Sequence, residues 1–150
     1  MEKAKNFTLP ASNGKDVSLY DFKGKNIILY FYPKDNTPGC TQEACDFKLH
    51  INNFEESDTV ILGVSKDSIK KHNSFIEKYD LPFLLLSDEE GEVCNLYGVW
   101  QKKKMMGKEY MGIVRSTFLI DKDSNIVKEW SNVKVKGHIE EVLAYIKENC

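Results

Sequence analysis

Five consecutive apolar residues, Ile27, Ile28, Leu29, Tyr30 and Phe31, run straight into Tyr32, Pro33 and a turn-rich segment that reaches Cys40. A short, continuous apolar run bounded by a proline reads as a buried strand. Beyond the turn, Ala44, Phe47, Ile51 and Phe54 recur at helical spacing, so a helix is expected from Thr41 to about Phe54. Cys40 is thereby delivered to a strand-to-helix junction. The first N–H groups of a helix lack intrahelical partners, and the helix dipole is positive there. Both conditions favour thiolate over thiol. A second cysteine, Cys45, comes five residues later, placed to trap whatever the first becomes.

The rest of the chain repeats the alternation. Phe7 to Leu9 and Val17 to Leu19 flank Ser12, Asn13 and Gly14 and predict an N-terminal β-hairpin. Val60 to Val64 predicts the next strand. Ser65, Asp67 or Ser68 can cap a following helix with Ile69, Ile76 and Tyr79 on its apolar side. Phe83 to Leu86 reads as a buried strand, and Ser87 or Asp88 as the cap of a short helix carrying Val93, Cys94 and Tyr97. Thr117 to Ile120 and Ile126 to Trp130 flank a turn and predict an antiparallel pair. Ile139, Val142, Leu143 and Ile146 mark a last helix. Alternation first implies parallel strands, and the late hairpin adds antiparallel ones. The expectation is an α/β chain with a mixed central sheet flanked by helices, plus the N-terminal β-hairpin. A reactive cysteine at the helix start after the first core strand is the arrangement of the thioredoxin-like fold.

At 150 residues, with no linker or repeat, residues 1–150 are expected to form a single domain. The net charge of −2 gives no bulk electrostatic reason for a nucleic-acid or anionic-membrane partner. No signal-peptide core stands behind the N-terminus and no run approaches a membrane span, so a cytoplasmic location is the default. The four cysteines, at 40, 45, 94 and 150, are too unevenly spread for a disulfide framework. In a reducing compartment a close pair is catalytic, redox-sensing or metal-binding. Cys40, Cys45 and His50 give a Cys-x4-Cys-x4-His spacing, but no fourth ligand lies nearby and zinc sites use tighter pairs; no metal and no cofactor are expected. Cys94 reads as core and Cys150 as a free terminal thiol. Lys102, Lys103, Lys104, Met105 and Met106 read as a solvated loop, and Trp100, Tyr110 and Met111 either line a pocket or pack. No self-pairing apolar surface is visible, which leaves a monomer as the expected state.

The pattern Pro33-x-x-x-Thr37-x-x-Cys40 is similar to the active-site motif of peroxiredoxins. The longer string from Thr37 to Cys45 resembles that of the bacterioferritin-comigratory, or Q-type, subfamily. The resemblance extends to Phe7 to Pro10, Val17 to Leu19 and the block from Arg115 to Asp121. It implies a peroxidase that reduces hydrogen peroxide and organic hydroperoxides by thiol chemistry, without metal or haem. It further implies Cys40 as the peroxidatic residue, Cys45 as the residue that resolves it through a disulfide, and thioredoxin or a similar dithiol protein as reductant. The chain departs from the family pattern at Asn125, where a turn glycine is usual, and at Lys48, where arginine is common.

The residues have their own chemistry. Gly39 lets backbone approach a ligand, and the N–H groups of Gly39 and Cys40 can face an anion. The Thr37 hydroxyl is an orienting partner for the substrate; Thr41 is a candidate helix cap. Arg115 is the only arginine in the chain. Read alone it is a surface ion pair. Read with the family it lowers the Cys40 pKa and binds peroxide, which its planar, always-charged fork suits better than lysine. Pro33 ends the strand and shields the thiolate. On one α-helix, five residues separate two Cα atoms by roughly 8–9 Å, beyond the ~7 Å reach of a disulfide. A Cys40–Cys45 bond therefore requires unwinding from about Thr37 to Asp46. Two other readings stay open. A dithiol–disulfide exchange protein would prefer Cys-x-x-Cys, which is absent; a redox sensor would use the same pair as a switch.

Overall fold

The computed structural model describes residues 2–150. Its elements, in chain order, are β1 (Glu2–Lys3), β2 (Thr8–Pro10), β3 (Asp16–Ser18), a 3-10 turn (Leu19–Phe22), β4 (Asn26–Phe31), α1 (Pro38–Leu49), α2 (Ile51–Glu56), β5 (Thr59–Ser65), α3 (Ile69–Tyr79), β6 (Leu84–Ser87), α4 (Glu92–Leu96), β7 (Trp100–Met105), β8 (Lys108–Ile113), β9 (Ser116–Ile120), β10 (Asn125–Trp130) and α5 (His138–Asn149). The main sheet runs β1-β10-β9-β4-β5-β6. β4 pairs parallel with β5 and antiparallel with β9, so the apolar run lies at the junction of the parallel and antiparallel halves. The architecture is α/β with a mixed central sheet, as the alternation of elements implies.

Because β4 is covered on both sides, its alternation sorts two cores rather than core and solvent. Ile27, Leu29 and Phe31 join the cluster of Val93, Cys94 and the β2–β3 hairpin residues Leu9 and Val17. Ile28, Tyr30 and Tyr32 join that of Phe47, Phe54, Phe75 and the α5 residues Ile139, Val142 and Ile146. The N-terminal hairpin is a separate two-stranded sheet that reaches β6 through an Ala11–Leu86 bridge and the Ser12 N–H to the Leu85 carbonyl, 2.9 Å.

The structure departs from sequence expectation at several places. The helix after β4 starts at Pro38, with Thr37 rather than Thr41 as its N-cap, and it breaks at His50, where φ is −104° and ψ 14°. Ser68 alone caps α3, accepting from the Lys71 N–H; Ser65 is still in β5. α4 is capped by Gly91 in the left-handed region, not by Ser87 or Asp88. The position before β10 that needs a positive φ is Ser124, at 66°, and Asn125 is already strand. The largest difference is the basic segment. Lys102 to Met106 belongs to a β7–β8 hairpin, turned by Met106 and Gly107 at φ 51° and 78°. Two consecutive positive φ values match the twist of a two-residue hairpin turn. Lysines on both faces erase the alternation that announces a strand.

Candidate active site

The site is assembled where β4 ends. Tyr32 still pairs, its N–H donating to the Val64 carbonyl at 3.1 Å. Pro33 cannot donate and closes the ladder. Thr37 has the extended backbone of an N-cap, yet its hydroxyl does not cap; it donates to the Lys34 carbonyl at 2.9 Å. Pro38, Gly39 and Cys40 form the first turn of α1, and the first intrahelical bond runs from the Thr41 N–H to the Thr37 carbonyl, 2.9 Å. The N–H groups of Gly39 and Cys40 precede that bond, at the positive end of the helix. The Cys40 residue is only 2% exposed.

Arg115 arrives from the stretch between β8 and β9. Its Nη2 donates to Cys40 Sγ at 3.3 Å, and its Nη1 to Glu43 Oε1 at 2.7 Å. One planar fork thus ties the cysteine to a carboxylate. Gly39 makes room for it: a Cβ there would stand 3.1 Å from Arg115 Nη2. The arginine's partner is fully buried, so the contact is not the surface ion pair that its sequence position alone suggests. Burial pushes the Glu43 carboxyl from 4.5 up to about 7, with Arg115 pulling it part of the way back. Burial opposes the Arg115 charge, but Glu43 and Cys40 beside it more than offset that and raise its pKa.

Glu43 was not among the expected site residues. Its signal was there: Cys40, Glu43, Ala44 and Phe47 are the buried positions of α1, three and four apart, and a glutamate on an otherwise apolar stripe needs a partner. The lone arginine is that partner.

Around the thiol opens a cleft of about 660 Å³. Pro33, Thr37, Gly39 and Arg115 surround Cys40 on one side, and Trp100, Tyr110 and Met111 of the β7–β8 hairpin line the other. The three hairpin residues left open between lining and packing therefore line the cleft. The volume far exceeds hydrogen peroxide and admits a larger, partly apolar molecule.

Cys45 lies half-buried further along α1, and neither it nor Cys40 is in a disulfide. Cys94 is buried; its N–H donates to Asp88 Oδ2, and desolvation, aided by the Asp88 carboxylate, pushes its thiol far up. Cys150 is exposed at the chain end. His50 ends α1 and faces Glu140 at 3.5 Å. Among the described residues no group of three or more His, Cys, Asp or Glu is placed to hold a metal ion, and no helix is long and apolar enough to cross a membrane.

Residues 1–129 match the AhpC/TSA family model. The chain is 55% identical to peroxiredoxin Bcp of Bacillus subtilis over 98% of its own length and 94% of the relative's. It is 54% identical to a putative peroxiredoxin of Coxiella burnetii over 95% and 94%. Among solved structures it resembles peroxiredoxin Q of Xanthomonas campestris, with a TM-score of 0.91 and 41% identity over 95% of this chain and 90% of that one. Another structure of that organism's bacterioferritin comigratory protein, described for its alkyl peroxide reduction, gives 0.90 and 41% over the same shares. BcpB of Mycobacterium tuberculosis gives 0.87 and 32% over 99% and 96%.

Proposed function

The chain belongs to the AhpC/TSA family and is a thiol peroxidase of the peroxiredoxin type, and on that premise we propose how its own residues carry the reaction. Cys40 is the peroxidatic nucleophile. Its thiolate attacks the terminal oxygen of a hydroperoxide and forms the S–O bond of a sulfenic acid. The O–O bond breaks, and the leaving alkoxide or hydroxide takes up the proton that the thiol released. Cys45 then attacks the Cys40 sulfur, water leaves, and a disulfide forms. A dithiol protein of the thioredoxin kind takes the disulfide onto itself and restores both thiols.

The observation that carries this reading is the 3.3 Å bond from Arg115 Nη2 to Cys40 Sγ at the first turn of α1. That guanidinium holds the thiolate and lies where negative charge appears on the departing oxygen. Glu43 fixes its plane through the second nitrogen. The Thr37 hydroxyl has given its hydrogen to the Lys34 carbonyl, so its oxygen is left to accept from the hydroperoxide O–H. Pro33 excludes water beside it, and the free N–H groups of Gly39 and Cys40 face the same anion. The Trp100, Tyr110 and Met111 side suits organic hydroperoxides as well as hydrogen peroxide. On this reading the enzyme acts as a single-domain monomer in the cytoplasm, a compartment whose reducing pool returns disulfides to thiols.

The test measures consumption of hydrogen peroxide and an alkyl hydroperoxide with thioredoxin, its reductase and NADPH. Wild type turns over and Cys40→Ser does not. Substantial turnover in Cys40→Ser would move the nucleophile to Cys45 or Cys94.

A further inference from the structure

Beneath the loop that carries Pro33 and Thr37 lies a second buried polar cluster that the peroxidase chemistry does not use. Its centre is Asp35, whose side chain is 2% exposed beside a fully buried His72 of α3. His72 Nδ1 meets Asp35 Oδ2 at 2.6 Å, and the Tyr32 hydroxyl donates to Asp35 Oδ1. The Tyr32 phenol keeps its proton, because burial and the neighbouring Tyr30 and Asp35 push its pKa well up. The other imidazole nitrogen of His72 faces the Leu86 carbonyl at 2.9 Å, an acceptor only, so it carries hydrogen and donates. The Asp35 N–H in turn donates to Asp67 Oδ2 at 2.7 Å, and the Asp67 N–H to Ser65 Oγ at 3.1 Å, at the end of β5. Asp35 is thus bonded to Tyr32 just past β4, to Asp67 just past β5 and to His72 of α3, which carries the tie on to β6.

The chain beyond Asp35 is held differently. Asn36 is exposed and sits at φ 60° in the left-handed region, a natural pivot. From there to Asp46 the chain contains both Cys40 and Cys45. Past Asp46 it is anchored again: the Phe47 ring lies 4.7 Å from Tyr30 and 5.7 Å from Phe54, and Lys48 Nζ donates to the Tyr79 carbonyl at 2.9 Å. The two cysteines that must approach each other lie between two fixed points.

We propose that Asp35, held by His72 and Tyr32, is a positioning clamp: it marks where unwinding of the Cys40 segment stops and sets the balance between the folded site that meets hydroperoxide and the unwound form that makes the disulfide. The catalytic part of this inference rests on the proposed peroxidase reaction. A buried, multiply bonded carboxylate suits the role because it holds the segment cooperatively: losing one partner leaves the others desolvated and unpaired. From Asp35 to Cys40 the extended chain spans at most roughly 17 Å, enough to carry the sulfur off the helix start without disturbing β4.

The experiment uses the full chain with three variants: Asp35→Ala, its conservative counterpart Asp35→Asn, and Tyr32→Phe, which removes one hydroxyl and threatens folding least. Amide hydrogen exchange is measured in the reduced protein, and stopped-flow records Cys40 oxidation and disulfide formation separately. Asp35→Ala and Tyr32→Phe are expected to exchange about five- to tenfold faster in residues 36–46, with β4 and β5 unchanged. In the same variants Cys40 oxidation slows severalfold, the disulfide step quickens, and less sulfinic acid accumulates under excess peroxide. Asp35→Asn falls between them and wild type. Exchange that rises equally everywhere, or nowhere, overturns the clamp. Faster exchange confined to 36–46 with both chemical rates unchanged overturns its part in the reaction. Neither result is the one that would remove Cys40 as nucleophile, which is turnover in Cys40→Ser.

Discussion

At the scale of single residues, one guanidinium serves two acceptors of different character, a carboxylate oxygen and a sulfur. Glu43 is fully buried beside it, and the Cys40 sulfur is the group to which the proposed reaction assigns the chemistry. Arg115→Lys offers one ammonium in place of a fork and cannot hold both at these distances. We expect Cys40 oxidation to slow by about one to two orders of magnitude. The pH midpoint of Cys40 alkylation by iodoacetamide should rise; an unchanged midpoint would take Arg115 out of thiolate stabilisation. Glu43 makes a second prediction, whose sign comes from its burial. Its folded pKa of about 7 stands above the ordinary 4.5, so between those values the native state binds more proton than the unfolded chain. Stability from this group is therefore present below about 4.5 and lost as pH rises to about 7, by on the order of 3 kcal/mol. His138 acts oppositely: desolvation holds it at about 4 instead of 6.5, so its contribution is lost as pH falls through that window. The two slopes offset each other in wild type. Glu43→Gln should uncover the His138 slope, with denaturant unfolding between pH 4.5 and 7 as the measurement. Parallel pH curves for variant and wild type would mean that Glu43 does not titrate there.

At the scale of elements, α1 is the pedestal of the site and, in the proposed reaction, the part that must give way. Cys40 and Cys45 share it, and a helix of ordinary geometry keeps their Cα atoms roughly 8–9 Å apart. Resolution therefore costs helix. Wild type treated with one equivalent of peroxide should lose far-UV helical signal and yield a Cys40–Cys45 disulfide by peptide mapping. Cys45→Ser should consume its equivalent, stop at the sulfenic acid, keep its helix, and over-oxidise more readily. A Cys40–Cys94 bridge in the wild type would sink local unwinding and leave the peroxidase intact. This element also marks how far the residues could be read in advance. Cys40 at the helix start was legible, because proline, glycine and the helical stripe all point there. The helix was not legible in detail. Pro38 and Gly39 read as a turn, but they are its first turn, and the break at His50 carries neither glycine nor proline. Glu43 was overlooked because a charged side chain scores as surface until its partner, 72 residues away, is known. The β7–β8 hairpin is hidden for a related reason: three consecutive lysines put charge on both faces of β7 and break the alternation that announces a strand.

At the scale of the whole molecule, the mixed sheet was legible because β4 and β5 are buried on both faces and read as unbroken apolar runs. What the pattern could not carry was which distant segments meet: Arg115 with Cys40, and His72 with Asp35. The same architecture decides the energetics of the redox cycle. A disulfide stabilises chiefly by restricting the unfolded chain, and the restriction grows with the loop closed. The Cys40–Cys45 loop is among the shortest possible, so the gain is only about 2 kcal/mol. Against it stands the loss of the first turns of α1, each broken backbone bond costing about 1 kcal/mol, with Cys40, Glu43 and Ala44 leaving positions that are now at most 2% exposed. The unwinding cost is the larger sum. The oxidised protein should therefore melt several degrees below the reduced one, whereas a typical structural disulfide raises the melting temperature. By the same thermodynamic cycle the disulfide is stored at a disadvantage and is readily taken over by a dithiol. Calorimetry on reduced and peroxide-treated protein, with Cys45→Ser as the control that cannot cross-link, measures the difference. An oxidised form as stable as the reduced one would mean that the bond forms without unwinding α1, and that the helix geometry of the reduced state places no toll on resolution.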